Sequence, residues 1–232
     1  MALAPGETNE AFIREVDENL RRSQAEDFAK RYATWIIAGV VLFLAAVAAF
    51  LFWRNQQAQE AQQHSEQFAA ILTDISQQRT ADVPQRLGTL AEEGNDAFKG
   101  AALLTRAAVA LQNGNRQAAI ADYRAVVEDK GIPQADRDAA LVRGTQLEFD
   151  SMKPEDVIVR LQELAKPESA WYGTAGEMTA MAMLKQNRRA EAARLFAAIG
   201  ADANVPDPIR RRAAQVAGSL GVDATARAPA AR

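Results

Sequence analysis

The longest apolar run of the chain extends from Ala33 to Trp53 and contains no charged residue. It consists mainly of Ala, Val, Leu, Ile and Phe. A helix of about 20 residues rises roughly 30 Å, which is the thickness of the hydrocarbon layer of a bilayer. Trp35 and Trp53 stand at its ends, where amphipathic rings favour the headgroup level. The pattern predicts a transmembrane helix at residues 33–53, since a core helix of a soluble protein normally keeps a polar face.

The basic residues on either side of the span predict its orientation. Within about 20 positions only Arg54 follows the span, whereas five basic residues precede it: Arg14, Arg21, Arg22, Lys30 and Arg31. Because basic flanks stay in the cytoplasm, the N-terminus is predicted inside and the chain after Trp53 outside. The run is longer than the roughly 7–15 apolar residues of a signal peptide, which indicates a retained anchor. The combination is typical of a single-pass membrane protein with an extracytoplasmic C-terminal domain.

The segment before the span, residues 1–32, is predicted to be cytoplasmic and to contain an amphipathic helix. Phe12, Val16 and Leu20 recur every four residues, and charged side chains occupy the other faces. This helix either lies on the lipid surface and orients the anchor or docks a partner. Residues 1–7 contain Pro and Gly without an apolar period and are predicted to be disordered.

Beyond the span, the pattern has the helical period throughout. Residues 54–66 are rich in Gln and Ala and predict a solvated helical stalk that continues the membrane helix. From residue 67 to 221, helical runs of about 11–17 residues alternate with short breaks rich in Gly, Pro, Asn, Asp or Lys. These breaks fall near residues 80–84, 93–96, 113–115, 130–133, 151–154, 166–168, 186–187 and 200–208. The fold class is therefore all-α, built from antiparallel hairpins, and the Ala- and Pro-rich tail at residues 222–232 is predicted to be disordered.

The second helices of these hairpins share an internal period. Alignment of four of them places Leu87, Tyr123, Leu161 and Phe196 at equivalent positions, 36, 38 and 35 residues apart. This spacing is close to the 34-residue period of tetratricopeptide repeats. Two hairpins also carry a small residue, Ala119 or Ala192, four positions before the aromatic one.

The period predicts a divergent tetratricopeptide-like α-solenoid of about four hairpins, although the usual aromatic and Leu-Gly pair of the first helices is missing. A final helix with Pro208 in its first turn and Gly221 after its end would cap the array. Solenoids bind partners on the concave face formed by their first helices. In this register, that face includes the candidate partner-binding residues Gln112, Gln146, Asp150, Glu177, Met181 and Lys185.

Composition argues against catalysis and nucleic-acid binding. A net charge of −3 gives no attraction to nucleic acid, and the absence of cysteine removes thiol catalysis and cysteine metal sites. The only histidine, His64, lies in a Gln-rich stretch and is predicted to be a solvated helix residue. No phosphate-binding glycine loop, nucleophile motif or metal-ligand spacing is present. We therefore predict no enzymatic activity, no metal and no cofactor, and a function in protein binding.

Two further groups allow alternative interpretations. Met178, Met181 and Met183 are predicted chiefly to fill the core, with an adaptable binding surface as the alternative. Residues 210–212, three consecutive arginines, are predicted to form the solvated face of the capping helix, with membrane or partner binding as the alternative.

The order of these parts resembles the ancillary Sec-translocon subunit family of Gram-negative inner membranes, in its alphaproteobacterial form. The likeness rests on EAFIREVDENLRRSQ, the FAKRYATW and FLFWRNQQ flanks of the span, and the closing LKQNRRAEAARLFAAI hairpin. Membership would imply protein partners: the Sec translocon channel, a membrane-anchored periplasmic chaperone of the prolyl-isomerase-like class, and exported polypeptides. It carries over no ligand motif or site residue.

The alternative function is a membrane-anchored scaffold for another cell-envelope complex, such as outer-membrane assembly or cell-wall machinery. Cross-linked partners would separate the two, because channel subunits and nascent chains are expected only for the export function.

Overall fold

The computed structural model describes the backbone of residues 7–222 and the side chains of residues 31–222. This part of the chain contains nine α-helices and no strand, so the predicted all-α class is confirmed. The helices are α1 (Glu7–Ser76), α2 (Val83–Glu93), α3 (Asp96–Gln112), α4 (Arg116–Glu128), α5 (Gln134–Glu148), α6 (Pro154–Leu161), α7 (Tyr172–Lys185), α8 (Arg189–Ala201) and α9 (Asp207–Ser219). The chain divides into two compact units between Glu60 and Ala61.

In the first unit, the apolar part of α1 is exposed along its length. Trp35, Leu42 and Phe52 keep 77%, 75% and 73% of their surface accessible. Within the described residues, α1 is the one helix long and apolar enough to cross a membrane. The predicted amphipathic face at residues 8–30 involves side chains outside the described set. Of the residues predicted to be disordered, 1–6 and 223–232 also lie outside it, whereas Glu7 already belongs to α1 and the Val222 N–H donates to Ala217 C=O at 3.0 Å.

The second unit is a series of helical hairpins, as the spacing predicts. The last turns of α1 pack on α2, since Ile71 shares a buried cluster with Val83 and Leu87. The pairs α3–α4, α5–α6 and α7–α8 follow, and α9 packs on α8. Each first helix also contacts the next one, in the order α3, α5, α7, so that α9 takes the next position in this row. Four hairpins with a closing helix therefore form the domain.

The repeat register predicted for the second helices is confirmed by burial. All four equivalent large residues are at most 3% exposed: Leu87, Tyr123, Leu161 and Phe196. The residues four positions earlier are at most 1% exposed: Val83, Ala119, Val157 and Ala192. Residues four apart lie on the same face of a helix, so each second helix buries one such pair.

Local sequence sets the helix ends. The Asn95 side chain accepts hydrogen bonds from the backbone N–H groups of Ala97 and Phe98 at 3.1 and 3.2 Å, and Asn115 caps α4 in the same way. Gly221 has φ +90°, which favours glycine, and it directly follows the capping helix. Pro208 lies in the first turn of that helix, as predicted.

One predicted helix is shorter than the pattern indicates. The second helix of the third hairpin was expected to continue to the break at residues 166–168, but α6 ends at Leu161 after eight residues. Single turns follow, in which Ala165 N–H still donates to Leu161 C=O at 2.9 Å. Leu164 remains 8% exposed within the third core cluster. The apolar positions therefore keep the chain against the core although the regular helix has stopped.

An ion-pair group holds the end of α1 on α2. Arg86 Nη1 donates to Asp74 Oδ2 at 2.6 Å, and Arg79 Nε donates to the other carboxylate oxygen at 3.1 Å. These hydrogen bonds, from Arg86 first and then Arg79, hold the pKa of Asp74 below its ordinary value. A carboxyl group with a lowered folded-state pKa stabilises the fold above its unfolded pKa, and the contribution disappears as pH falls through the folded value.

We therefore expect Asp74→Asn to be less stable than the parent protein at pH 7, and the difference to shrink as the pH falls from about 4 through the lowered pKa of Asp74. Thermal unfolding at pH 7, 5 and 3 measures it. The matched control is Asp82→Asn. Asp82 faces the same Arg86, but it is 64% exposed and its contact is longer, at 3.5 Å. A D74N deficit as large at pH 3 as at pH 7 would contradict this assignment.

A buried hydroxyl on α7 offers a stabilising substitution. Thr179 is 4% exposed, and its Oγ1 has no hydrogen-bond partner among the described groups. We expect Thr179→Val to raise the free energy of unfolding by about 1 kcal/mol, because valine has a similar shape without the unsatisfied hydroxyl.

The control is Thr145→Val, since Thr145 is fully buried but donates to Leu141 C=O at 2.7 Å. Thr145→Val should therefore not raise the free energy of unfolding. Equal stabilisation of both variants in chemical denaturation would show that hydrogen-bond satisfaction is not the cause.

Candidate functional site

The candidate site is a groove along the row of first helices, formed by α5, α7 and α9. Its volume is about 470 Å³. Five apolar side chains line it: Phe149, Met178, Met181, Phe196 and Val216. Phe196 comes from the second helix α8 and is 2% exposed, so it forms the floor, whereas Met181 is 47% exposed.

Helical spacing places these side chains together. Gln146, Phe149 and Asp150 are three and four positions apart at the end of α5. Met178 and Met181 are separated by three positions on α7, and Arg212 and Val216 by four on α9. Residues at these intervals share one helix face. The packing of α5, α7 and α9 in series brings the three faces to one groove.

One ion pair joins the turn after α5 to the end of α7. Lys185 Nζ donates to Asp150 Oδ1 at 3.1 Å and lies 4.3 Å from the centre of the Phe149 ring. The geometry allows a cation–π contact as well as the ion pair. The Asp150 side chain is nevertheless 91% exposed. This carboxylate therefore remains accessible to a partner.

A second ion pair joins α7 to α9. Arg212 Nε donates to Glu177 Oε1 at 2.9 Å, and its Nη2 donates to the other oxygen. The pairing raises the pKa of Arg212 above its ordinary value. Glu177 is 14% exposed at its side chain, whereas Arg212 is 59% exposed. The groove therefore presents an acidic group on the α5 side and a guanidinium on the α9 side.

Most of the candidate partner-binding residues lie at this groove. Gln146, Asp150, Glu177 and Met181 line it, and Lys185 touches its edge through Asp150. Gln112 is exposed at the end of α3 and does not line it. The structure therefore brings these residues together, except for Gln112, while their role in binding stays a prediction.

Five lining residues were absent from the sequence-based set: Phe149, Met178, Phe196, Arg212 and Val216. Phe196 is also buried at its repeat position. The sequence indicates partner binding for Arg212 only as the alternative interpretation of the arginine triplet, and it predicts α9 as a cap and not as the next wall of the groove, so Arg212 and Val216 do not enter the predicted set. The contact between α7 and α9 brings Arg212 and Val216 to the groove, and no periodicity in the sequence shows that contact.

The structure also locates the two groups for which the sequence allows alternative interpretations, the methionines of α7 and the arginines of α9. Met183 packs on the buried cluster around Phe196 and Met178 on the third core cluster, as core filling predicts. Met178 also lines the groove, together with the exposed Met181. Arg211 is exposed, and Arg210 pairs with Asp207 on its own helix. Arg212 bridges to Glu177 on α7 while its side chain stays 59% exposed, so it keeps the predicted solvated position and also joins two helices.

His64 is not the solvated residue that its Gln-rich context predicts. It is half-buried, and its ring meets that of Phe98 edge-on with centroids 5.7 Å apart. The contact joins the helix before Ile71 to α3 within the second unit. Sequence context failed here because the burial of His64 depends on Phe98, 34 positions later.

A second cavity of about 320 Å³ lies between α4, α5 and α6. Its polar edge is an ion-pair group in which Glu148 accepts from Arg124 at 3.3 Å and from Arg160 at 2.8 Å. These bonds link three helices, so a structural role explains the charged residues at the edge of this cavity. Within residues 31–222, no cluster of three or more His, Asp or Glu side chains could hold a metal ion. The groove on the first helices is therefore the better candidate for binding.

Comparison with known families agrees with this architecture. A family model described as "Tetratricopeptide repeat-like domain" matches residues 26–211. Neither the comparison with curated proteins nor that with solved structures finds a match. The family model covers α2 to α8, most of α1 and the first turn of α9, and thus the hairpins and the α5, α7 and α8 residues of the groove, while Arg212 and Val216 lie beyond the matched range.

Proposed function

Because the chain belongs to the tetratricopeptide repeat-like domain family, we propose that it is a non-enzymatic protein-interaction module anchored in the bacterial inner membrane. Domains of this kind stack hairpins to create extended binding surfaces for other proteins. The observation that carries the proposal is the groove on α5, α7 and α9, whose floor is apolar and whose edges carry an acidic and a basic group.

The exposed apolar part of α1 supports the anchor. Exposure of so many apolar side chains to water would be strongly unfavourable, whereas in a bilayer these side chains contact lipid. The basic flank before Ala33 supports a cytoplasmic N-terminus and, with it, a periplasmic helical domain. A helix satisfies its own backbone hydrogen bonds, so it can cross the hydrocarbon layer without a partner.

The finer proposal is an accessory subunit of the Sec translocon that passes exported chains to periplasmic chaperones. It is supported by the resemblance of the N-terminal segment, the flanks of the span and the closing hairpin to that family. It also agrees with the chemistry of the groove, since unfolded chains expose the apolar side chains that such a floor can cover.

The test is in-cell cross-linking followed by affinity purification of the full-length protein from gently solubilised membranes. Recovery of channel subunits together with a periplasmic chaperone, above the level in an unrelated single-span control, supports the export function. Recovery of an outer-membrane assembly or cell-wall complex, with the channel at control level, would replace it with the scaffold function.

A further inference from the structure

We propose that the groove binds extended segments of unfolded polypeptide that carry a large apolar side chain between charges of opposite sign. This inference rests on the proposed interaction function and names the class of ligand. Three features of the groove carry it: an adaptable apolar floor, unused hydrogen-bonding groups at its edges, and opposite charges on its two sides.

The floor suits apolar side chains of varied shape. Met178 and Met181 are unbranched and polarizable, so they can adapt to different neighbours, while Phe149 and Phe196 give a firm apolar base. A volume of about 470 Å³ is at the small end of binding pockets, which favours a few side chains over a whole helix about 10–12 Å wide.

The edges offer hydrogen bonds that an extended chain needs. The side-chain amide of Gln146 makes no hydrogen bond within the described part of the protein, and neither does Asp150 Oδ2 or Arg212 Nη1. An extended segment presents unpaired backbone N–H and C=O groups, whereas a helix satisfies its own except at the ends. Donors and acceptors of this kind recognise a backbone irrespective of its sequence.

The charges on the two sides favour a segment with one basic and one acidic flank. Each of these charges has a partner but is the more exposed member of its ion pair. Asp150 on the α5 side is 91% exposed, against 42% for Lys185. Arg212 on the α9 side is 59% exposed, against 14% for Glu177. A segment that crosses the groove would place a basic residue beside the first and an acidic residue beside the second. Segments with two like charges would meet one repulsive contact.

The test uses full-length protein in nanodiscs and a fluorescein-labelled peptide, Lys-Ser-Leu-Phe-Leu-Ser-Glu, blocked at both ends, with fluorescence anisotropy as the readout. We expect Met181→Glu to weaken binding by about tenfold or more, because a carboxylate would then face an apolar side chain. The matched control is Val159→Glu, since Val159 is 66% exposed on α6 and does not line the groove. It should stay within about twofold of the parent.

Charge and conformation are tested separately. Peptides with lysine or glutamate at both ends should bind about threefold more weakly than the mixed one, in keeping with exposed ion pairs. Asp150→Lys should reverse the order and favour the peptide with two glutamates. Proline in place of the serine next to glutamate, which disfavours a helix, should be tolerated, whereas a lactam-locked helical version should lose binding.

Equal binding to the parent protein, Met181→Glu and empty nanodiscs would overturn the inference, and so would tighter binding of the helical version. This result is distinct from the cross-linking result. Peptide binding without recovery of the channel would keep the ligand class and reject the translocon role. Recovery of the channel without peptide binding would keep the translocon role and reject the ligand class.

Discussion

Replacing Phe196 with alanine is expected to lower the free energy of unfolding by about 3–5 kcal/mol, the usual cost of removing a buried aromatic ring. The ring is 2% exposed and shares a buried cluster with Tyr172, Ile199 and Val205. It also forms the floor of the groove. The loss is comparable to a large part of the stability of an ordinary domain, so α7 to α9 should unfold before the other hairpins.

Hydrogen exchange with mass spectrometry on the full-length protein measures this change region by region. Exchange in α7, α8 and α9 should rise strongly, while α2 and α3 change less because repeats contact mainly their neighbours. Phe196→Leu is the control and should cost about 1 kcal/mol, since it keeps most of the volume. Unchanged protection of α8 in Phe196→Ala would contradict the role of this ring in the core.

The second large effect concerns the ion pair between α3 and α4. Arg106 Nη2 and Nε donate to Asp122 at 2.6 and 3.0 Å, and the Asp122 side chain is 10% exposed. The pair raises the pKa of Arg106 above its ordinary value. We expect Asp122→Ala to cost about 3 kcal/mol, because it leaves a guanidinium without its counter-charge in a half-buried position.

A double substitution separates the cost of the unpaired charge from the value of the pair. Arg106→Met combined with Asp122→Leu should return to within about 1 kcal/mol of the parent, since apolar residues can replace a buried ion pair. Thermal unfolding of the parent, single and double variants measures the difference. A double variant no more stable than Asp122→Ala would show that the pair itself contributes the stability.

The repeat was predictable because it depends on one helix at a time. Leu87, Tyr123, Leu161 and Phe196 lie on the buried faces of their own helices, and a residue four positions earlier shares each face. The caps at Asn95 and Asn115 and the glycine after α9 are likewise local. The early end of α6 was missed because its apolar positions stay against the core in turns as well as in a helix.

The site could be predicted only in part. Gln146, Asp150, Glu177 and Met181 follow from the faces of the first helices, and the structure brings them to one groove. Gln112 belongs to α3 and lies apart from it. Arg212 and Val216 were missed because no pattern within α9 shows which helix it will contact. Partners of an ion pair 35 positions apart, such as Glu177 and Arg212, have no signal in a local period.

The sequence by itself determined the apolar segment, the all-α class, the hairpin order and the buried face of each second helix, because hydrophobic period and backbone preferences act over a few residues. Only the tertiary structure decided that α9 completes the row of first helices, that Phe196 forms a floor as well as a core, and that His64 lies against Phe98. These features arise from packing between helices distant in the chain, where side-chain shape and charge, not period, select the neighbours.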